Sequence, residues 1–168
     1  MNEKAKYYID KLKLKKHPEG GYYNEIYSAG EIIEADVLPV RYEGARVFST
    51  SIFFLLEGEQ ISSLHKLKSD EIWHFYDGST INIYIISSNG KLEKRTLGRN
   101  LENDELIQTV IEKNNWFGAD LNDKSSYGLI GCTVAPGFDF DDFEIGKREE
   151  LLKKFPDQKD IILNITKP

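Results

Sequence analysis

The residues best suited to chemistry lie near the middle of the chain, at His65 and Glu71. A neutral imidazole exchanges protons near pH 7, and a carboxylate can orient it or hold a cation. Because side chains alternate along a strand, Ser63 shares a face with His65, while Trp73 and Phe75 share one with Glu71. If the two strands are neighbours, His65 and Glu71 converge inside the fold. The sequence therefore predicts an acid–base pair, a ligand anchor or half a metal site there.

The elements that must position this pair are mostly short strands. Apolar residues at helical spacing from Ala5 to Leu12 predict an opening helix that stops before His17-Pro18. β-rich segments separated by turn residues then predict strands, and Asn89-Gly90 is a strong hairpin signal. The predicted strands span 22–27, 47–56, 71–76, 80–87, 91–97, 106–111, 116–119 and 127–134. This spacing predicts an all-β sandwich or barrel.

The end of the chain adds two small elements to that barrel. Residues 148–155 carry apolar side chains on one side and predict a short helix that ends at Pro156. Residues 160–166 are rich in isoleucine and predict a last edge strand. No linker divides the sequence, so we expect one domain over residues 1–168.

Composition excludes several classes of function. The net charge is −6, from 28 acidic and 22 basic residues, and the short lysine run at 11–16 is typical of a solvated surface. A nucleic-acid partner is therefore not expected. No apolar run reaches the length of a membrane span, and no signal-peptide core follows Met1, so we expect a cytoplasmic protein without membrane contact. The lone Cys132 excludes an intrachain disulfide and is expected to be a buried core thiol.

Gly58, His65, Glu71 and Gly78 together resemble the first motif of the cupin superfamily. In that motif a glycine, two histidines, a glutamate and a later glycine frame a metal site. Leu67 stands at the second histidine position of the motif. The resemblance therefore supplies only part of a metal site in this segment.

The second cupin motif would add one more histidine, and the corresponding stretch at 112–117 places Phe117 there. Two of the four ligand positions are thus apolar, whereas a transition metal normally needs three or more suitable ligands. We expect no cofactor beyond a weakly bound divalent metal. Metal should accordingly be dispensable for folding.

Four longer blocks narrow the resemblance to one cupin branch of unassigned function. They span residues 17–23, 49–56, 70–76 and 134–140. The resemblance implies a jelly-roll barrel with short terminal helices, related in shape to the deoxysugar-nucleotide 3,5-epimerases. It also implies a homodimer and a small-molecule pocket inside the barrel. It does not imply a reaction, because fold does not fix function.

Three hypotheses for function remain open. In the first, a metal-independent barrel binds a small polar, carbohydrate-like metabolite and isomerises or epimerises it, with His65 moving the proton and Glu71 orienting it. Ser63, Trp73, Phe75 and Phe117 are then the predicted ligand-binding residues. The second is a metal-dependent enzyme that completes its site with Ser63 or Gln108. The third is a non-catalytic binding or sensing barrel.

Other chemically capable residues have simpler interpretations. His17 and Glu19 are expected to orient the chain as it enters the barrel. His74 and Tyr76 fall on the strand face opposite Glu71, which favours a role in sheet packing or in a dimer.

Overall fold

Two antiparallel sheets face each other across a shared core in the computed structural model, which describes residues 1–167. The helices are α1 (Glu3–Lys11), α2 (Arg148–Lys154) and α3 (Lys159–Asn164), with 3-10 turns at Leu101–Asn103, Phe140–Asp142 and Pro156–Gln158. The strands are β1 (Lys15–Lys16), β2 (Tyr22–Ser28), β3 (Ile32–Ile33), β4 (Arg46–Val47), β5 (Thr50–Glu57), β6 (Ile61–Leu67), β7 (Glu71–Gly78), β8 (Ile81–Ile86), β9 (Leu92–Leu97), β10 (Gln108–Ile111), β11 (Trp116–Leu121), β12 (Tyr127–Val134) and β13 (Phe143–Ile145).

The strand order identifies the fold as a jelly roll. The first sheet runs β1-β2-β5-β12-β7-β10, and the second runs β13-β6-β11-β8-β9. The short strands β3 and β4 form a separate pair. The predicted fold class, an all-β jelly-roll barrel with short terminal helices, is confirmed.

Alternation along the strands builds the core between the sheets. Ile81, Ile83 and Ile85 point inward from β8 and meet Ile130 and Cys132 of β12 in one buried cluster. The outward residues are covered separately. Helix α1 packs over the first sheet, and α2 and α3 pack over the second. Cys132 is a buried free thiol, as predicted.

Gly78, the last glycine of the motif, is required by close packing at the end of β7. Its φ is +101°, and a Cβ there would lie 2.1 Å from the carbonyl oxygen of Tyr127. Only glycine avoids both the strained backbone and the clash. The motif position is thus explained by the fold alone.

The predicted edge strand at 160–166 is wrong, because this segment forms α3. Ile161, Ile162 and Ile165 share one helix face and pack against Leu64 and Trp116. The strand propensity of isoleucine contributes less free energy than this burial does, and the burial is available only when the segment is helical. The predicted helix at 148–155 is confirmed as α2.

Two further expectations need correction. The single strand predicted at 47–56 is divided by Phe48 and Ser49 into β4 and β5. Strands β6 and β7, which carry His65 and Glu71, are consecutive in sequence but lie in different sheets. The two side chains therefore approach across the barrel and not along one sheet.

No helix within residues 1–167 is long and apolar enough to cross a membrane.

Candidate functional site

A cavity of about 260 Å³ lies between the sheets at the end where β6 and β7 present His65 and Glu71. Its inner walls are largely apolar, with five aromatic residues beside Trp73: Tyr23, Phe54, Phe138, Phe140 and Phe143. Lys15 and Glu25 line it as well. Its polar inner groups belong to five residues: His17, Glu19, Thr50, His65 and Glu71.

Glu71 is the carboxyl group that β7 brings into the cavity. It is 8% exposed, and its Oε2 has no hydrogen-bond partner. Burial raises the pKa of Glu71 to about 7, against the opposing effect of the imidazole of His65. A carboxyl group with this pKa is present in both protonation states near neutral pH and can therefore take or give a proton.

Trp73 lies two residues along the same face of β7 and also lines the cavity. Its side chain is 1% exposed, and its indole N–H has no partner. The strand register places Val134 opposite Glu71 and Cys132 opposite Trp73. The indole N–H is close enough to lower the pKa of Glu71, although neither Oε2 of Glu71 nor Nε1 of Trp73 makes a hydrogen bond of normal length.

His65 reaches the cavity from β6, in the other sheet. Its Nδ1 lies 2.8 Å from the carbonyl oxygen of Ser63, and its Nε2 lies 3.3 Å from Oε2 of Glu19. The ring of Phe117 packs on it with centroids 4.0 Å apart. Burial lowers the pKa of His65, although Glu71 opposes this effect. His65 is therefore held neutral, with both nitrogens engaged by the protein.

Glu19 is the unexpected member of the cluster. Its Oε1 accepts a 2.8 Å hydrogen bond from the hydroxyl of Ser62, and its Oε2 lies 3.4 Å from Nδ1 of His17. Gly20, at φ +127°, brings this segment against β6 so closely that a Cβ would lie 2.0 Å from the carbonyl oxygen of Ile61. Burial raises the pKa of Glu19 and lowers that of His17.

The contacts of His65 with Ser63 and Glu19 indicate where the protons of His65 and Glu19 lie. A carbonyl oxygen only accepts, so Nδ1 of His65 carries the proton that contacts Ser63. In the neutral ring Nε2 is then a bare acceptor, and it faces Oε2 of Glu19. Two acceptors at this distance repel unless a proton lies between them. Because burial raises the pKa of Glu19 and lowers that of His65, we expect that proton on the carboxyl group.

The protein has three histidines, at 17, 65 and 74, so their tautomers can be measured directly. The backbone N–H of Glu19 donates to Nδ1 of His17. At pH 7 we therefore expect neutral His17 protonated on Nε2 and neutral His65 protonated on Nδ1. Long-range proton–nitrogen correlation spectra of histidine-labelled protein report both states.

Glu19→Gln provides the matched comparison for these spectra. Both tautomers should persist in Glu19→Gln and in Glu19→Leu, because backbone groups fix them, and only Glu19→Leu should remove the side-chain donor that faces Nε2 of His65. His74, on the outer face with its Nε2 3.3 Å from the hydroxyl oxygen of Thr133, is the internal control. A cationic His65 at pH 7, or one protonated only on Nε2, would contradict the proposed proton position.

The structure brings together three of the six predicted site residues as cavity walls: His65, Glu71 and Trp73. Phe117 lies behind His65, and Phe75 packs further along the core beneath the guanidinium of Arg99. Ser63 does not line the cavity. The register between β6 and β11 shifts at this point, so the hydroxyl of Ser62, and not that of Ser63, reaches the carboxyl group of Glu19.

Sequence reasoning missed His17 and Glu19, which were expected only to orient the chain. They lie far from His65 in sequence, and strand periodicity does not extend through the turn that holds them. The available signal was an acidic residue directly before Gly20-Gly21, where a turn can place it against a distant strand.

The residues of the site do not fit the four-ligand metal centre of the cupin motif. Leu67 and Phe117 occupy two ligand positions and are buried. Gln108, a possible extra ligand, is exposed beside His74 in strand register. Among residues 1–167, no three His, Cys, Asp or Glu side chains are grouped so that they could hold a metal ion.

A family model of the cupin superfamily, DUF985, matches residues 6–146. The chain belongs to this family. Protein SO0799 from Shewanella oneidensis superimposes on this cupin with a TM-score of 0.87 and 34% identity, over 100% of this chain and 99% of the other. A hypothetical protein from Leishmania major gives a TM-score of 0.87 and 30% identity, over 98% and 99% of the two chains.

Two more distant relatives extend the comparison. The uncharacterized protein YML079W of Saccharomyces cerevisiae is 29% identical over 155 residues, which cover 86% of this cupin and 76% of the yeast protein. Oxalate decarboxylase of Bacillus subtilis superimposes with a TM-score of 0.54 and 15% identity, over 89% of this chain and 36% of the enzyme. At this identity the likeness concerns the fold alone.

Proposed function

We propose that this cupin binds a small molecule in its cavity and transfers a proton to or from one of the ligand's carbon atoms, without a metal. The activity belongs to the isomerase or epimerase class. The observation that carries the proposal is the carboxyl group of Glu71, which is buried, lines the cavity and has an oxygen without a partner. Leaving such a group unsatisfied is unfavourable unless a ligand uses it.

In this reaction Glu71 is the base. Its carboxylate takes a proton from a carbon next to a carbonyl group, the C–H bond breaks, and its electron pair moves onto the carbonyl oxygen. Return of the proton to the same carbon from the other side completes an epimerisation. If that carbon carries a hydroxyl group, transfer of the hydroxyl proton to the former carbonyl oxygen and return of the carbon-bound proton to the former carbonyl carbon complete an isomerisation. Neither course needs an oxidant or a reductant.

His65 supports this chemistry from the opposite sheet. Both of its ring nitrogens are engaged, by the carbonyl group of Ser63 and by Glu19, so it is poorly placed to take a proton from the ligand. We therefore assign proton transfer to Glu71 and electrostatic support to His65, the reverse of the roles considered first. Glu19, with its shared proton, is a source from which a proton can return.

The test begins with the ligand that purifies with the protein. Native mass spectrometry of freshly purified protein identifies it by mass, and incubation in D₂O then shows whether the protein exchanges a carbon-bound proton of that ligand for deuterium. We expect exchange above the protein-free rate. A bound ligand without exchange would refute proton transfer and favour the non-catalytic binding barrel.

We also propose that the chain forms a homodimer through the outer face of the first sheet. Tyr76 is 37% exposed there and Val110 is 42% exposed, which leaves apolar surface for a second copy to cover. Sedimentation equilibrium at micromolar concentration should give twice the chain mass. A single monomeric species would overturn this proposal.

A further inference from the structure

The cavity is lined by the exposed side chains of Lys15 and Glu25 and, deeper inside, by buried polar atoms without partners. Three buried side-chain nitrogen or oxygen atoms in residues 1–167 have no partner: Oγ of Ser63, Oε2 of Glu71 and Nε1 of Trp73. Only Glu71 and Trp73 line the cavity, and they lie on the same face of β7. A ligand can therefore form new hydrogen bonds with two buried residues, Glu71 and Trp73, that lie next to each other on this face.

The remaining inner polar groups are already committed to one another. His17, Glu19 and His65 share hydrogen bonds or close contacts. The hydroxyl oxygen of Thr50 accepts a hydrogen bond from the backbone N–H of Phe138. A ligand hydroxyl placed against His17, Glu19 or His65 would have to displace an existing contact, whereas the hydroxyl of Thr50 can still donate one hydrogen bond.

The rest of the wall offers aromatic and aliphatic surface. Phe138, Phe140 and Phe143 pack edge to face around one side, with ring centroids 5.0–6.2 Å apart. Ile52 and Val134 add aliphatic surface. Such walls stabilise a flat apolar body by burial and ring contact, and they cannot satisfy a ring of hydroxyl groups.

The size of the cavity limits the ligand further. The cavity volume is about 260 Å³. It lies slightly below the range of about 300–1,000 Å³ in which drug-sized ligands bind. A compact one- or two-ring molecule fits this volume, whereas a nucleotide-linked sugar does not fit inside it.

We infer that the ligand is a compact, mainly apolar, uncharged molecule with a single carbonyl group, and not a carbohydrate. The carbonyl oxygen accepts from the indole N–H of Trp73, which places the neighbouring C–H at Glu71. The apolar body lies against the phenylalanine wall. This inference rests on the proposed function only in taking this cavity as the ligand site.

Binding of three probes to the wild-type protein tests the inference without requiring turnover. 2-Indanone is a flat, neutral ketone, indane is the same skeleton without the carbonyl group, and D-fructose, a cyclic hemiketal in water, is a hydroxylated ring that represents carbohydrates. Ligand-observed NMR titration should show saturable binding of 2-indanone at least tenfold tighter than that of D-fructose. Equal or tighter binding of D-fructose, or no saturable 2-indanone binding at millimolar concentration, would overturn the inference.

Variants then locate the polar contact. Trp73→Phe removes the N–H together with part of the ring surface, so it should weaken 2-indanone binding about three- to tenfold more than indane binding, the usual range for one lost hydrogen bond. Trp116→Phe is the matched control, because Trp116 packs under the C-terminal helices outside the cavity. Equal effects of Trp73→Phe on both probes would refute the carbonyl contact.

A second variant tests the apolar wall if Trp73→Phe does not fold. Phe140 lines the cavity but is 52% exposed, so Phe140→Ser should leave the core intact. It should weaken 2-indanone binding severalfold and should not improve D-fructose binding. Unchanged 2-indanone affinity would overturn the assignment of this wall. Because these measurements concern binding, failure of deuterium exchange would refute proton transfer and leave the ligand class standing.

Discussion

Replacing Glu71 by glutamine is expected to reduce solvent-deuterium exchange into the bound ligand about 10²- to 10⁴-fold, the usual contribution of a positioned general base. The variant keeps the volume of the side chain and removes the carboxylate that takes the proton. Ligand affinity should change much less, because the apolar walls remain. The measurement is the exchange rate by NMR or mass spectrometry at saturating ligand, beside binding titrations of the same samples.

Glu150→Gln is the control for this experiment, because Glu150 forms an exposed pair with Lys147 on α2. It removes the same charge and should leave exchange unchanged. His65→Asn, alone and together with Glu71→Gln, completes a double-mutant cycle. Residues that act on one site typically show coupling of about 0.5–3 kcal/mol. Wild-type exchange in Glu71→Gln, or strictly additive losses in the cycle, would place the reacting group elsewhere.

Glu71→Gln should also alter how the free energy of unfolding depends on pH. Below pH 4.5 the Glu71 carboxyl is protonated in the folded and the unfolded chain alike, so it does not contribute to pH dependence there. Between pH 4.5 and about 7 the unfolded chain ionises first, and the stability of the wild-type protein falls as pH rises. Over this whole interval the free energy of unfolding of the wild-type protein falls by about 3 kcal/mol, at about 1.36 kcal/mol per pKa unit.

Glu71→Gln cannot ionise and should lose this part of the pH dependence. Glu19, His17 and His65 titrate nearby in both proteins, so the informative quantity is the difference between variant and wild type. Urea unfolding at pH 5 and pH 8 should show the variant gaining stability relative to wild type at the higher pH. A variant less stable than wild type at pH 8 would show that Glu71 is kept for the fold.

Local patterns predicted most of the barrel because each strand has its own signal. The hairpin predicted at Asn89-Gly90 joins β8 to β9, in which Ile86 pairs with Leu92. Inward and outward faces of β7 also follow from alternation, since Glu71 and Trp73 line the cavity while His74 faces out. These features depend on residues within one or two strands.

The errors occur where distant residues decide the local structure. Helix α3 forms because Leu64 and Trp116 provide a surface for its isoleucines, and nothing within residues 160–166 reveals that surface. Ser62 replaces Ser63 in the site because the register with β11 shifts near Gly118, where a Cβ would lie 2.7 Å from the carbonyl oxygen of Ser62. Such an irregularity reverses every alternation argument that crosses it.

The candidate site was predicted only in part for the same reason. His65 and Glu71 were found because a motif of fixed spacing contains them. Glu19 reaches His65 through a turn on a segment more than forty residues away, since Ser62 Oγ and Glu19 Oε1 bond at a separation of 43 residues. The proton shared by Glu19 and His65 follows from atomic distances, which no spacing rule encodes.

Replacing Arg46 by methionine is expected to destabilise the protein by about 3–5 kcal/mol, the usual effect of breaking a buried ion pair from one side. Arg46 on β4 binds Asp142 through two parallel hydrogen bonds, each 2.7 Å long, and the side chains are 4% and 3% exposed. Without the guanidinium, Asp142 would keep the ion pair with Lys68, whose Nζ lies 3.7 Å away. Urea unfolding at pH 7 measures the difference.

Two comparisons separate this effect from a general loss of charge. Lys147→Met breaks the exposed pair with Glu150 and should change stability by less than about 1 kcal/mol. The double variant Arg46→Met with Asp142→Leu removes both buried charges and should recover much of the loss, because an apolar pair of similar volume is often as stable.

Asp142 ends the turn that carries Phe140 and precedes Phe143, both of which line the cavity, so Arg46→Met should also weaken 2-indanone binding. A stability change below about 1 kcal/mol in Arg46→Met, or a double variant less stable than it, would show that the pair does not anchor this wall.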